Sequence, residues 1–189
     1  ILPQMLAARP DARALLMYAK LRVFLHSIHK KGMAGRSWGR RLYLHLGEYA
    51  PLDLGMSQGA LFEMTDLQCA GLAWLLHQRH FAILLNESMG NRMKTLDSDV
   101  FNDHRATTLV ALGAFFGFDV EQGSADDIAQ GPVFSRHAKH GDDFDQRIER
   151  EARAAAAPVI AEEIEMVAHW IEQIAPQTGL QIPVARPLF

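Results

Sequence analysis

The chain of 189 residues has a single cysteine, Cys69, so no disulfide can form within it. A lone thiol fits a reducing cytosol, the compartment expected here. No apolar run approaches the ~20 residues that cross a bilayer, so no membrane span is expected. The opening Ile1-Leu2-Pro3-Gln4 has no initiator methionine, no basic start and no cleavage site, and it begins inside an expected helix. It reads as the start of a truncated chain. Catalytic signatures are missing as well: there is no G-x-x-x-x-G-K-[ST] loop, no G-x-G-x-x-G fingerprint and no G-x-S-x-G elbow. The pairs His26/His29, His77/His80 and His137/His140 have helical ligand spacing, but none carries the carboxylate pattern of a zinc protease and no cysteine pair exists. They are expected to be surface histidines, with no metal bound.

Acidic residues are scarce at one end. Residues 1–47 hold nine Lys or Arg and one acid, Asp11, a balance of +8, while residues 48–189 carry −11. A clustered cationic quarter concentrates anionic ligands near it. Alternatively, the two parts neutralise each other in the fold; charge alone leaves both open. The acidic remainder and a pI near 6.3 argue against nucleic acid as the partner.

With 49% hydrophobic residues the chain fills one domain, 1–189. Ala12 to Tyr18 is a short apolar run between turn signals, the pattern of a buried strand, after the stop at Arg9-Pro10-Asp11. Leu21 to Lys31 has a helical period with Leu21, Phe24, Leu25 and Ile28 on one face. Gly32 and Gly35 should break it before a second helix over 36–46, and 47–59 reads as irregular loop. Thr65-Asp66 can cap a helix to about Glu87, with Leu67, Ala70, Trp74, Phe81 and Leu85 buried. Arg92 to Leu96 alternates as a second strand. A helix over 105–116 closes on Gly117. Residues 124–130 form a helical turn, and a last helix over 144–175 is kinked or restarted at Pro158, with Ile160, Ile164, Val167, Ile171 and Ile174 inward. The fold class is therefore α/β and predominantly helical, with a few parallel strands of a larger sheet whose other members precede Ile1.

Two segments offer anion chemistry. In open parallel sheets ligands sit beyond the carboxyl ends of the strands. A helix after Tyr18 bearing Arg22 and Ser27 can hold a phosphate there by charge and hydrogen bond, unless Ser27 is merely a small residue facing another helix. The stretch 134–141 gathers Arg136, His137, Lys139 and His140, able to close over an anion or to pair with Asp142, Asp143 and Asp145.

The order of these parts resembles the sulfotransferase family. Pro10-Asp11-Ala12-Arg13 and the strand to Tyr18, then a helix with Ser27, are similar to that family's "PDAK" turn, strand and donor-binding helix. Arg92 to Phe101 resembles its strand and "yEdL" turn, and Phe115-Phe116-Gly117-Phe118 its "FLGL" helix ending. Phe134 to Lys139 sits where the family has a late basic loop. The resemblance spans 1–170 and is strongest over 92–118. It implies a P-loop-type sheet and, as co-substrate, 3′-phosphoadenosine 5′-phosphosulfate (PAPS), whose sulfuryl group passes to an acceptor hydroxyl or amine. Ser27 matches the residue on the donor's 3′-phosphate, and Arg136 and Lys139 fall in the loop covering it. Eight residues before Ser27, where the family has Arg, stands Ala19; Lys20 or Arg22 would have to substitute. The 5′-phosphosulfate loop and the catalytic base would precede Ile1, so this portion alone is expected to be inactive. The alternative expectation is a non-catalytic relative that serves as a scaffold for protein partners.

Overall fold

The computed structural model describes residues 2–48, 51–56, 59–86, 90–136, 145–155, 157–184 and 186–189. The chain forms two compact units. The first comprises Ile1–Tyr18, Asn91–Ala156 and Arg186–Phe189, and the second Ala19–Gly90 and Ala157–Ala185.

The first unit opens with α1 (Leu2–Ala8), which buries Leu6, and turns at Arg9-Pro10 into β1 (Ala14–Tyr18). The second unit then contributes α2 (Leu21–Lys30), α3 (Gly32–Gly47), α4 (Ala60–Glu63) and α5 (Asp66–Asn86). The chain returns to the first unit as β2 (Met93–Asp97), α6 (Ser98–Asp103), α7 (Arg105–Phe116), α8 (Gln122–Gln130) and α9 (Gln146–Ala154). The final helix, α10 (Pro158–Ile174), belongs to the second unit.

β1 and β2 pair in parallel from Ala14 opposite Met93 to Tyr18 opposite Asp97. The other side of β2 is occupied too. Thr95 donates its N–H to the Arg186 carbonyl at 2.7 Å, accepts from Leu188 N–H at 3.1 Å, and forms a parallel bridge with Pro187. Flanked on both sides, β2 buries Met93, Thr95, Leu96 and Asp97, whereas Met17 of β1 is half exposed. The expectation that the first strand is buried on both faces is therefore corrected: β2 is the inner strand. The tail supplies a neighbour that hydropathy could not reveal, because Pro183, Arg186 and Pro187 have no apolar rhythm. Arg92, just before β2, points Nη1 among the carbonyls of Leu6 at 2.9 Å, Arg9 and Pro10 at 3.0 Å and Ala12 at 3.3 Å, which share its two N–H groups and so tie down the turn that precedes β1.

Local capping sets the helix ends. Asp97 Oδ1 accepts from Asp99 N–H at 2.8 Å and starts α6. Gly117 takes φ 87°, and its N–H returns to the Gly113 carbonyl at 2.8 Å, ending α7. In the second unit Thr65 and Gln68 form a reciprocal capping box at the start of α5.

That unit is a helical packing around α5, whose Leu67 to Leu76 stretch is buried nearly all round. Leu21, Leu25 and Ile28 of α2 and Ile164, Val167 and Ile171 of α10 complete its core. One expectation is corrected and one alternative is decided. Gly32, with φ 60°, does turn the chain, but Gly35 lies inside α3, which therefore starts at Gly32 rather than Arg36. Its missing side chain is the reason: a Cβ there would lie 2.5 Å from the Ile28 carbonyl oxygen. Of the kink and the restart expected at Pro158, the restart is found: Pro158 is the first residue of α10, where its absent N–H costs nothing. Ala60–Glu63, just after the expected loop over 47–59, is a short helix to which the sequence pattern assigned no element.

Candidate functional site

The link from Tyr18 to α2 carries the first candidates. Ala19 is fixed in place by Trp74 of α5, whose indole Nε1–H donates to the Ala19 carbonyl at 2.8 Å. Trp74 is buried, and a buried indole N–H needs such a partner. Around the start of α2 lies a cavity of about 380 Å³ lined by Leu21, Val23, Trp74, Ile182 and Pro183, with Lys20, Arg22 and Glu172 supplying its charge. Such a volume is in the range of small-molecule sites, roughly 300–1,000 Å³.

Arg22 does not present its charge alone. Its Nε lies 2.9 Å from each carboxylate oxygen of Glu165, and its Nη1 donates to Glu172 at 2.6 Å. Hydrogen bonding to Glu172, then to Glu165, holds the guanidinium pKa above its ordinary value. One cation facing two carboxylates leaves this group net negative, so an anion reaching Arg22 has to displace a carboxylate. Both glutamates come from α10, more than 140 residues downstream. Sequence reading missed them because Glu165 and Glu172 carry no local signal beyond spacing of seven on one helix face.

Ser27 is exposed on α2, seven residues after Lys20, which caps that helix's start. It does not line the cavity. Arg136 is exposed and belongs to the first unit, after the turn Pro132–Phe134. Lys139, like His137 and His140, lies outside the described residues. Lys20, Arg22 and Ser27 thus share one unit, and Arg136 belongs to the other.

Near Arg136 in sequence, the first unit holds a wider cavity of about 810 Å³ whose lining includes Asp103, Arg105, Asp126, Ser135, Asp145 and Arg147. Arg105 places its guanidinium 4.8 Å from the centre of the Phe134 ring. Asp103 pairs with Arg150, and this contact holds its carboxyl below the usual range. With three carboxylates against two arginines, that lining is not a basin selective for anions.

The histidines of α5 depart from expectation. His77 and His80 are half-buried, and burial lowers the pKa of both; each is lowered further by a neighbour, His77 by His80 and His80 by Arg79. Among the described residues no three His, Cys, Asp or Glu side chains converge as metal ligands, and no helix is long and apolar enough to cross a membrane.

Comparison with family models, with curated proteins and with solved structures returns no match. The functional reading therefore rests on the residues themselves.

Proposed function

We propose that this chain is part of a sulfotransferase-like protein and that it holds the 3′-phosphate end of PAPS. One observation carries the reading. Two of the segments that resemble the family, 10–18 and 92–101, hold the sheet's two strands, paired in parallel from Ala14 opposite Met93 to Tyr18 opposite Asp97. Both strands therefore end at one edge, the kind of edge beyond which parallel sheets bind ligands. The chain leaving β1 there carries Lys20, Arg22 and Ser27 within nine residues.

In this reading the Ser27 hydroxyl donates to a phosphate oxygen and Lys20 supplies charge. Arg22 contributes only by exchanging Glu165 or Glu172 for the phosphate. Arg136 and Lys139 enter this reading only through the family resemblance. Transfer breaks the bond between sulfur and the bridging oxygen of the donor phosphate and forms one to the acceptor oxygen or nitrogen, whose proton passes to a base. None of the residues named above is assigned that base.

Calorimetric titration of the purified chain with adenosine 3′,5′-bisphosphate tests the proposal. Binding is expected, and Ser27→Ala or Lys20→Ala should each weaken it by about tenfold, the loss of one hydrogen bond to a charged group. Absence of binding at millimolar nucleotide would sink the reading.

A second reading, a non-catalytic scaffold for protein partners, is favoured by Arg22 being held by two carboxylates and by Ala19 standing where the family has Arg. It predicts a thermal midpoint indifferent to nucleotide, whereas a ligand at 100 times its dissociation constant adds about 2.7 kcal/mol.

A further inference from the structure

We infer that the outward face of α3 docks onto a membrane surface bearing anionic headgroups. The inference is independent of the proposed nucleotide site, which lies on α2. The inner side of α3 is committed: Gly39 approaches Ala70 of α5 so closely that a Cβ would sit 3.1 Å from the alanine methyl, and Arg40 is bound to Asp66 and to the Leu61 and Met64 carbonyls. The outer side combines large apolar side chains with cations. Met33 is 74% exposed, Leu44 52% and Trp38 42%, while Arg41 is exposed between them at helical spacing. Lys31 lies 5.8 Å from the centre of the Trp38 ring. Arg40 also ties the α4 segment to α3, and Phe62 on that segment is 89% exposed.

Two features select the occupant. The chain has no Asp or Glu between Asp11 and Glu48, so the charge of this stretch has one sign and fits an anionic surface. Phosphates alone would satisfy Lys31 and Arg41 but leave Met33, Leu44 and Phe62 in water. A bilayer interface accepts both, because cations pair with headgroups while apolar side chains and an amphipathic indole enter the acyl boundary.

The test is co-sedimentation of the purified chain with phosphatidylcholine vesicles that contain or lack phosphatidylserine. The expected result is binding to the anionic vesicles only, lost in 1 M salt where screening shortens to about 3 Å. Lys31→Glu with Arg41→Glu should lower partitioning by about tenfold or more. Trp38→Ser should lower it several-fold with the thermal midpoint unchanged, and Arg41→Gln replaces the double variant if that one fails to fold. Equal binding to neutral vesicles, no binding to either, or undiminished binding of the folded variants overturns the inference. So does retention on duplex DNA that depends on Lys31 and Arg41 while vesicles are ignored.

Discussion

Trp74 reaches from α5 to Ala19, the residue that follows β1, and its indole N–H closes on the Ala19 carbonyl at 2.8 Å. Trp74→Phe keeps most of the apolar volume but leaves that carbonyl without its donor. The expected cost is about 1–3 kcal/mol, the range for an unsatisfied buried group. Thermal unfolding should show the midpoint falling by several degrees. An unchanged midpoint would mean water replaces the indole.

Arg92 is expected to hold the turn before β1 as a unit, since one guanidinium nitrogen faces the carbonyls of Leu6, Arg9, Pro10 and Ala12. Arg92→Ala should destabilise by about 1–3 kcal/mol. Hydrogen exchange should show faster opening of the Arg9 and Ala12 amides while α7 amides keep their protection. Equal acceleration in both places would contradict a local role.

Gly113 lies where α7 meets the chain that follows it. A Cβ there would come within 2.5 Å of Val120 Cγ2 and 2.7 Å of the Phe118 carbonyl oxygen. The carbonyl is backbone and cannot rotate aside. Gly113→Ala should therefore destabilise by about 1–3 kcal/mol despite the better helix propensity of alanine. Chemical denaturation measures it, and a gain in stability would refute the packing argument.

His77 and His80 make stability depend on pH. Burial lowers both pKa values below the unfolded value near 6.5. The unfolded chain then binds more protons than the folded one as pH falls through that value, so stability drops with falling pH. It is fully present above about pH 7 and lost progressively below about 6.5. Melting curves between pH 7.5 and 5, a range of about one unit above and somewhat more below the unfolded pKa, should show the midpoint descending, and His77→Gln should flatten that descent. A midpoint that rises on acidification would overturn the assignment.

Much of the secondary structure was legible because its signals are local. The helix expected over 105–116 is α7 to the residue, since Gly117 supplies a left-handed cap that no distant contact is needed to specify. The face Leu21, Leu25 and Ile28 is buried as periodicity requires, and the strands β1 and β2 fall within two residues of expectation. Boundaries that depend on partners were not legible. α3 runs through Gly35 because that glycine packs against the Ile28 carbonyl, and nothing in the local sequence encodes that approach. The candidate site shows the same division. Arg22 and Ser27 lie on the helix that the sequence pattern predicts, but the neutralisation of Arg22 comes from a distant helix.

The sequence by itself determined most of the helices and both strands, the parallel α/β character, and the strongly cationic first quarter. These follow from hydrophobic period, turn chemistry and charge, which act over a few neighbouring residues. Only the tertiary structure decided that β2 is the inner strand, that Pro187 extends the sheet, that Glu165 and Glu172 claim Arg22, and that α3 turns Trp38 and Arg41 outward. Each of those depends on residues far apart in the chain being brought together, and burial and charge pairing are settled only once the chain has closed on itself.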